Sequence, residues 1–572
     1  MSKRNLNSMI KTENHFDAIV IGSGISGGWA AKECCEKGLK TLVLDRGRDV
    51  RHIQDYPTAY YDPWEFQHGG QLSREIREQN PVASRCYAFR EDARHFFLPD
   101  AEQPYIQEKP FDWIRANQVG GKSLLWARQT QRWSKYDFEG PARDGFAVDW
   151  PIRYEDIAPW YSYVEHFAGI SGNKDGIDAM PDGDFLPAWE MNVVEKVIQQ
   201  RIMARYKDRS VIQGRCAHLT APRQIHVDQG RSQCQARSLC QRGCPFGGYF
   251  SSNASTLPWA AKTGRLTLRP QSLVESIIYD DKRQKAVGVR IIDTETKETK
   301  AYFARIIFVN ASALATNLIL LNSTSARFPN GLGNDSGLLG KYVAFHNYLG
   351  AISGTVEGYA DSYYYGRRPT QPIIPNFRNV QRQETDFLRG YASFFSAGRP
   401  RGTAYQGDSV GEAYKDGLCE PGGWTVSMMM QGETIPKESN HVRLSPDQKD
   451  PYGMPQLITA VGYDPNDYKS RDDFFVQGQE MLEAAGVRNL MTSDSGQNPG
   501  LDIHEMGGVR MGHDPRTSLL NRWNQMHLVS NVFVTDGACM TSTGTQNPSL
   551  TYMALTARAV DYAVSEMKKG NL

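Results

Sequence analysis

The sequence contains no apolar run approaching about eighteen residues, so nothing in it is built as a membrane-crossing helix. It also lacks a charge excess. With 65 basic and 64 acidic residues the net charge is +1, which offers no electrostatic footprint for nucleic acid or an anionic membrane surface. Nine cysteines in 572 residues are an odd count and mostly scattered, which excludes a disulfide scaffold. Internal repeats and low-complexity tracts are missing as well. The polar stretch at residues 1–15 has no apolar centre of a Sec signal, and Lys3-Arg4 is not a twin-arginine pair. The expectation is a cytoplasmic chain, or one exported by riding on another subunit. What is present is globular: 40% hydrophobic residues, 23% charged, and a length beyond one simple domain. The 11% aromatic content suits either a large core or a sugar-stacking surface.

Residues 16–21 read as a fully buried strand, 22–28 as a tight turn, 29–37 as a helix closed by Gly38, and 41–44 as a second strand ending at Asp45. This is a βαβ unit. Cys34 and Cys35 fall in its helix and read as apolar filler. Short apolar strands recur at 306–310, before a helix through Leu321, and at 531–535, so the dinucleotide domain is assembled from separated segments. Residues 350–470 carry alternating patterns such as Thr425-Val426-Ser427-Met428 and Val442-Arg443-Leu444, which predict an antiparallel sheet with a turn at 447–455. Residues 359–422 read as a long loop or lid. Its Tyr363, Tyr364, Tyr365, Arg367 and Arg368 either shape a pocket or pack the lid.

Gly22-x-Gly24-x-x-Gly27 follows the first strand and opens the helix. Gly22 permits the sharp turn, Gly24 lets backbone approach a pyrophosphate, and Gly27 lets helix and sheet pack closely. Asp45, eighteen residues past Gly27, can accept from ribose hydroxyls, with Arg46 beside it. The fingerprint alone does not separate FAD from NAD. Gly120-Gly121-Lys122-Ser123 lets a bare backbone pass near a flat ring system; an ordinary glycine turn is the plain alternative.

His504 and Asn547 flank glycine-rich turns and the strand-end pair Asp536-Gly537, and Pro548 follows at a helix start. An imidazole with pKa near 6.5 can take a hydroxyl proton, and an amide can steady the oxygen as charge develops. Cys234-x5-Cys240-x3-Cys244-Pro245 suits an iron–sulfur cluster. Zinc would need a fourth ligand, for which Cys216 or His226 is a candidate, and structural thiols are the third reading. Arg237, Arg242 and Gly247-Gly248 would supply charge and backbone donors near sulfide.

Together these motifs resemble the glucose-methanol-choline (GMC) flavoprotein oxidoreductases over nearly the whole chain. The matching pieces are Gly22-Ser23-Gly24-Ile25-Ser26-Gly27, Gly120-Gly121, Trp150-Pro151-Ile152, Gly337-Leu338-Leu339-Gly340 leading to His346, and His504 with Asn547-Pro548. The resemblance implies an α/β plus α+β fold, a discontinuous Rossmann-like FAD-binding domain with an antiparallel-sheet substrate domain. The expected boundaries are 15–155, 215–345 and 496–572 for FAD, with the Cys234 to Cys244 insert, and 156–214 and 346–495 for substrate. It implies His504 as catalytic base and Asn547 as its partner, with Asp536 and Gly537 at the strand end that holds the FAD phosphates and ribityl chain. Leu124-Leu125-Trp126 stands where pyranose 2-oxidases carry a flavin-tethering histidine, so the FAD is expected to be non-covalent.

Within the family the cysteine spacing is similar to that of catalytic subunits of bacterial FAD-dependent glucose and glucoside 3-dehydrogenases. That implies a [3Fe-4S] cluster on Cys234, Cys240 and Cys244, a small signal-bearing partner subunit, a cytochrome c acceptor and periplasmic co-export. The expected reaction is hydride transfer from a secondary sugar hydroxyl to flavin N5, at C3 of a glucoside, with C1 of glucose as the main rival. An oxygen-using sugar or alcohol oxidase, and a non-catalytic electron conduit, are the alternatives.

Overall fold

The computed structural model describes residues 14–116, 118–362, 369–401 and 410–572. Tyr363, Tyr364, Tyr365, Arg367 and Arg368 lie outside the described residues.

The first strand, His15–Ile21, pairs in parallel with Thr41–Leu44 on one side and Thr299–Val309 on the other. Leu266–Arg269 extends the parallel set beside Thr41–Leu44. Strand Thr299–Val309 serves two neighbours along its length. Residues 299–303 pair antiparallel with Lys285–Asp293, and residues 307–309 pair parallel with Val532–Val534. Ser272–Asp280 closes this seven-stranded sheet. The continuous apolar runs in the sequence follow from burial on both faces. Ile19, Ile21, Ile307 and Val309 join one core, while Ala18, Val20, Ile306 and Phe308 join another across the sheet. Helix Ile25–Glu36 covers the second face, packed by the C-terminal helix Ser549–Lys569.

The alternating stretch predicted as one antiparallel sheet divides in two. Trp424–Glu433 is central to a seven-stranded antiparallel sheet with Gly350–Val356, Tyr391–Gly398, Arg488–Asp494 and shorter strands. His441–Lys449, which holds Val442-Arg443-Leu444, belongs instead to a five-stranded sheet with Lys341–Ala344, Met506–Gly508, Pro455–Ala460 and Ile106–Gln107. Both segments alternate because each has one buried face, so the pattern does not reveal which sheet a strand joins. The expected loop at 359–422 also carries structure. Strands Pro372–Ile374 and Tyr391–Gly398 lie within it, as does the exposed helix Glu412–Cys419. Tyr391, Phe394 and Phe395 are buried there, so those aromatics are core.

Among the described residues no helix is long and apolar enough to cross a membrane.

Candidate active site

The seven-stranded parallel-containing sheet presents the ends of its parallel strands to one cavity of about 1330 Å³, larger than the roughly 300–1,000 Å³ usual for a small-molecule pocket. Its wall includes Gly22, Gly24, Asp45, Arg46, Gly121, Ser123, Asp536, Gly537, His504 and Asn547. Gly27, Gly120 and Pro548 stand behind that wall. The two glycines permit close packing: a Cβ on Gly27 would lie 2.0 Å from the Gly22 carbonyl oxygen, and one on Gly120 1.7 Å from Asn253 Oδ1. Gly22 has φ +92°, and a Cβ there would press on the Asn310 backbone. Gly24 differs, because its missing Cβ would meet nothing within 4 Å. It begins the helix Ile25–Glu36 with no side-chain cap and no acidic residue in the first turn, so the free N–H groups and positive end of the dipole face the cavity.

Ser23 locks the two glycine turns together. Its hydroxyl accepts from the Gly120 N–H at 2.8 Å and donates to Asp45 Oδ2. Asp45 also accepts from the backbone N–H groups of Ser23, at 3.0 Å, and Gly47, at 2.9 Å. The carboxylate predicted for ribose therefore also braces the turn, and burial raises its pKa. Ser123 donates to the Gly120 carbonyl at 2.6 Å and accepts from Ser252 N–H at 3.1 Å. Asp536 accepts from Thr316 Oγ1 at 2.5 Å and from Ala538 N–H at 3.0 Å, and burial pushes it up to about 6.

His504 and Asn547, 43 residues apart in sequence, meet in the cavity wall with Asn547 Nδ2 3.2 Å from His504 Nε2. A chain of hydrogen bonds sets the direction of that contact. His346 Nε2 lies 2.5 Å from the Gly544 carbonyl, which can only accept, so this nitrogen carries a proton. Neutral His346 then offers a bare Nδ1, 2.9 Å from His504 Nδ1, which must donate. His504 is left with an unprotonated Nε2, directed at the Asn547 amide. From the other side Tyr348 O–H donates to Gln431 Oε1, and Gln431 Nε2 donates to the Thr545 carbonyl at 2.9 Å and to Asn547 Oδ1 at 3.5 Å. This orients the Asn547 Nδ2 donor toward His504. His504 keeps part of its surface open to the cavity, yet burial still holds its pKa well below 6.5, with His346 and Lys122 adding to the effect. Burial holds His346 down to about 4.

His346 is the residue to which sequence reasoning gave no role. Its place after Gly340 marked it, but its partnership with His504, 158 positions away, exists only in the fold. His346, Asp502 and His504 are also the one set among the described residues whose potential metal-ligand atoms lie within 4.8 Å of one another. In that set the two imidazoles already bond to each other, and Asp502 accepts from the His346 N–H at 2.9 Å.

Cys234, Cys240 and Cys244 are unpaired and half-buried, and the first two line the same cavity. The turn between them holds Ala236 and Ser238 at positive φ, +51° and +60°, a conformation non-glycine side chains disfavour. Gly248 N–H points at Cys244 Sγ, 3.4 Å away. The expectations for His226 and Arg242 change. His226 is no ligand candidate, since its Nδ1 accepts from the Arg223 N–H and its Nε2 donates to the His166 carbonyl. Arg242 is paired with Asp92 and donates to the Tyr61 carbonyl, while Arg237 donates to the Ala59 carbonyl and stays in the cavity wall with Cys234 and Cys240. Arg128 brings a further cation to the loop, donating to the Cys240 carbonyl at 3.0 Å and stacking over Tyr249. His218, also unforeseen, sits with Nε2 3.7 Å from Cys240 Sγ.

Comparison with known proteins agrees with this geometry. The chain is 29% identical to 2-methyl-1,2-propanediol dehydrogenase of Mycolicibacterium austroafricanum, over 97% of this chain and 96% of that one. It is 25% identical to the fructose dehydrogenase large subunit of Gluconobacter japonicus, over 97% and 98%. The solved pyridoxine 4-oxidase from Mesorbium loti shares the fold, with a TM-score of 0.59 at 14% identity, covering 96% of this chain and 98% of that one. A match to GMC oxidoreductase over residues 16–346 and again over 436–556 takes in both the glycine turn and the His504–Asn547 pair, so the chain belongs to the GMC oxidoreductase family and is an FAD oxidoreductase acting on CH–OH groups.

Proposed function

We propose that this chain is the catalytic subunit of a sugar dehydrogenase that oxidises a secondary hydroxyl, at C3 of a glucoside, and passes its electrons to an iron–sulfur cluster and a cytochrome rather than to oxygen. The observation that carries the reading is the continuity of one cavity wall from Gly22 and Gly24, past His504 and Asn547, to Cys234 and Cys240.

The wall suits FAD. Gly24 leaves room where a side chain would intrude, the uncapped helix start receives phosphate, and Tyr552 Oη and Asn310 Oδ1 are buried there without a partner among the described residues. Leu125 and Trp126 line the cavity beside Gly121, which agrees with a flavin held without a covalent bond. A bound flavin supplies the hydride acceptor. The chain's own part is proton handling: His504 Nε2, bare and fixed by His346, takes the hydroxyl proton, and Asn547 Nδ2 donates to the oxygen as negative charge grows.

The cysteine loop suits a cluster better than a single ion. Zinc at about 2.3 Å from each sulfur would draw its ligands to about 3.8 Å of one another. The cysteines form no set within 4.8 Å, whereas a cluster several iron atoms wide holds its thiolates further apart. Cys234, Cys240 and Cys244 would hold it, with Gly248 N–H and Arg128 offsetting negative charge, and it would supply a one-electron exit. A relative named as a large subunit supports a chain that works with a partner subunit; the small signal-bearing subunit, the cytochrome c and the periplasm rest on the similarity of the cysteine spacing. C3 rests on the similarity of the cysteine spacing.

The test is anaerobic mixing with a panel of glucosides, following flavin bleaching and the iron EPR signal together, with NMR of the product. The reading expects both signals to change and a 3-keto sugar to form. A lactone moves the site to C1. Stoichiometric peroxide in air from iron-free protein overturns the dehydrogenase reading in favour of an oxidase.

A further inference from the structure

Four arginines gather at the cysteine loop, and they differ in what balances their charge. Arg237 is half-buried, so water reaches it, and Arg242 pairs with Asp92 at 2.8 Å. Arg128 and Arg231 are buried, at 3% and 2% exposure. Among the described residues their donors meet neutral acceptors only. Arg128 donates to the Leu124 carbonyl at 3.2 Å, the Cys240 carbonyl at 3.0 Å and Gln241 Oε1 at 3.0 Å. Arg231 donates to the carbonyls of Gly247 at 2.9 Å and Ala168 at 2.8 Å, and to Gln229 Oε1 at 3.2 Å. Arg128 Nε and Arg231 Nη2 are buried with no partner among the described residues.

A guanidinium stays protonated throughout the working pH range. Carbonyls satisfy its hydrogens but leave its charge uncancelled, and a buried charge without a counter-charge is costly. Two of them at one loop call for an anion there. Of the three cysteines, Cys240 exerts the electrostatic attraction on Arg128 and Cys244 that on Arg231. Both cations are fixed by the fold itself. Arg128 lies 4.2 Å over the Tyr249 ring, and its backbone is held at φ +65°, a left-handed conformation that side chains disfavour. Arg231 packs on Gly247, where a Cβ would lie 2.9 Å from its Cγ.

We propose that Arg128 and Arg231 form a buried cationic clamp on the cysteine loop, which favours the reduced state of the iron–sulfur cluster and so sets the potential at which electrons leave the flavin. Three thiolates make the occupied loop anionic, and one electron passed from flavin that the alcohol has reduced adds one more negative charge there, until the external acceptor takes it. A fixed cation in a dry site stabilises that added charge with no proton taken up. Arg128 also joins the two redox ends, because its Nη2 bonds both the Leu124 carbonyl, beside Leu125 and Trp126 of the cavity wall, and the Cys240 carbonyl. The inference rests on the cluster reading above. Both arginines act through their charge, as positioning residues.

The experiment is an EPR-monitored potentiometric titration of the iron-loaded enzyme, native and as Arg128→Met, Arg231→Met, Arg128→Lys and Arg231→Lys, with iron content and thermal unfolding measured alongside. Removing either charge should shift the cluster's reduction equilibrium about tenfold or more toward the oxidised form, a fall of about 59 mV for one electron. The flavin potential should move less, and the Lys variants, which keep the charge, should stay near the native value. A purely structural role would lower stability in Met and Lys variants without separating their potentials. If a Met variant assembles no cluster while its Lys counterpart does, the requirement for charge is upheld. Unchanged potentials in the Met variants, or loss of iron in Met and Lys variants alike, overturn the clamp and leave the cluster reading standing. A native protein that takes up flavin but no iron, even when reconstituted with iron and sulfide, fails the cluster reading and the clamp with it.

Discussion

Replacing His346 tests whether a residue that never meets the substrate sets the protonation of the base. In His346→Leu the Nδ1 acceptor and the Nε2 donor both disappear. His504 loses the partner that keeps its proton on Nδ1, and the Gly544 carbonyl loses its donor inside the protein. A buried polar group left without its bond costs about 1–3 kcal/mol. If that energy is what favours the bare-Nε2 tautomer, its loss shifts the population of competent base by about ten- to a hundredfold, since about 1.4 kcal/mol is a factor of ten. His346→Asn keeps a carbonyl oxygen near the former Nδ1 and so keeps an acceptor for His504. The assay is anaerobic stopped-flow reduction of the flavin by the best alcohol substrate, with its pH dependence and with thermal unfolding measured alongside. The expected pattern is a reduction rate down about ten- to a hundredfold in His346→Leu and mostly restored in His346→Asn. A purely structural role would lower stability in both without separating their rates. Reduction at the native rate in His346→Leu, or an equal loss in both variants, refutes the tautomer argument.

Four further outcomes follow from the same geometry and the proposed function. His504→Ala should slow flavin reduction by roughly 10²–10⁴-fold, and near-native turnover would remove it as the base. Because His504 works only when neutral and burial holds its pKa well below 6.5, activity should persist as pH falls through 6.5; the acid limb of kcat/KM should lie lower, towards the region near 4 where His346 also gains a proton, and a limb at 6.5 or above would contradict this. Gly24→Val should fold but purify with little flavin absorbance, since only the cofactor's space is filled, whereas Gly27→Ala should lose stability outright by meeting the Gly22 carbonyl; full flavin content in Gly24→Val would show that the phosphates lie elsewhere. Cys240→Ser should lose iron and the EPR signal and slow steady-state transfer to an external acceptor while leaving the first anaerobic flavin reduction near the native rate, and unchanged iron content would take Cys240 out of the ligand set.

The sequence alone determined the features that depend on local physics. A two-sided apolar run, a left-handed glycine and a helix start with no competing cap make residues 15–45 a dinucleotide turn wherever they occur. The His504 and Asn547 motifs were likewise legible as short-range chemistry, while the cysteine spacing carries the proposed cluster only as a proposal. Alternation at 425–428 and 442–444 showed strands with one buried face, but pairing with distant strands, such as Thr425 with Thr355 and His441 with Lys341, decides which sheet each joins, and local period carries no trace of it. The same holds at the site. That His504 has the chemistry of a base could be read from its type and setting; that its proton sits on Nδ1 depends on His346 and the Gly544 carbonyl, which approach only when the seven-stranded antiparallel sheet, which His346 joins opposite Glu433, and the turn before the C-terminal helix are packed together. Arg128 and His218 beside the cysteine loop are visible only in the tertiary structure for the same reason: they are relations between distant segments, fixed by packing rather than by any spacing in the chain.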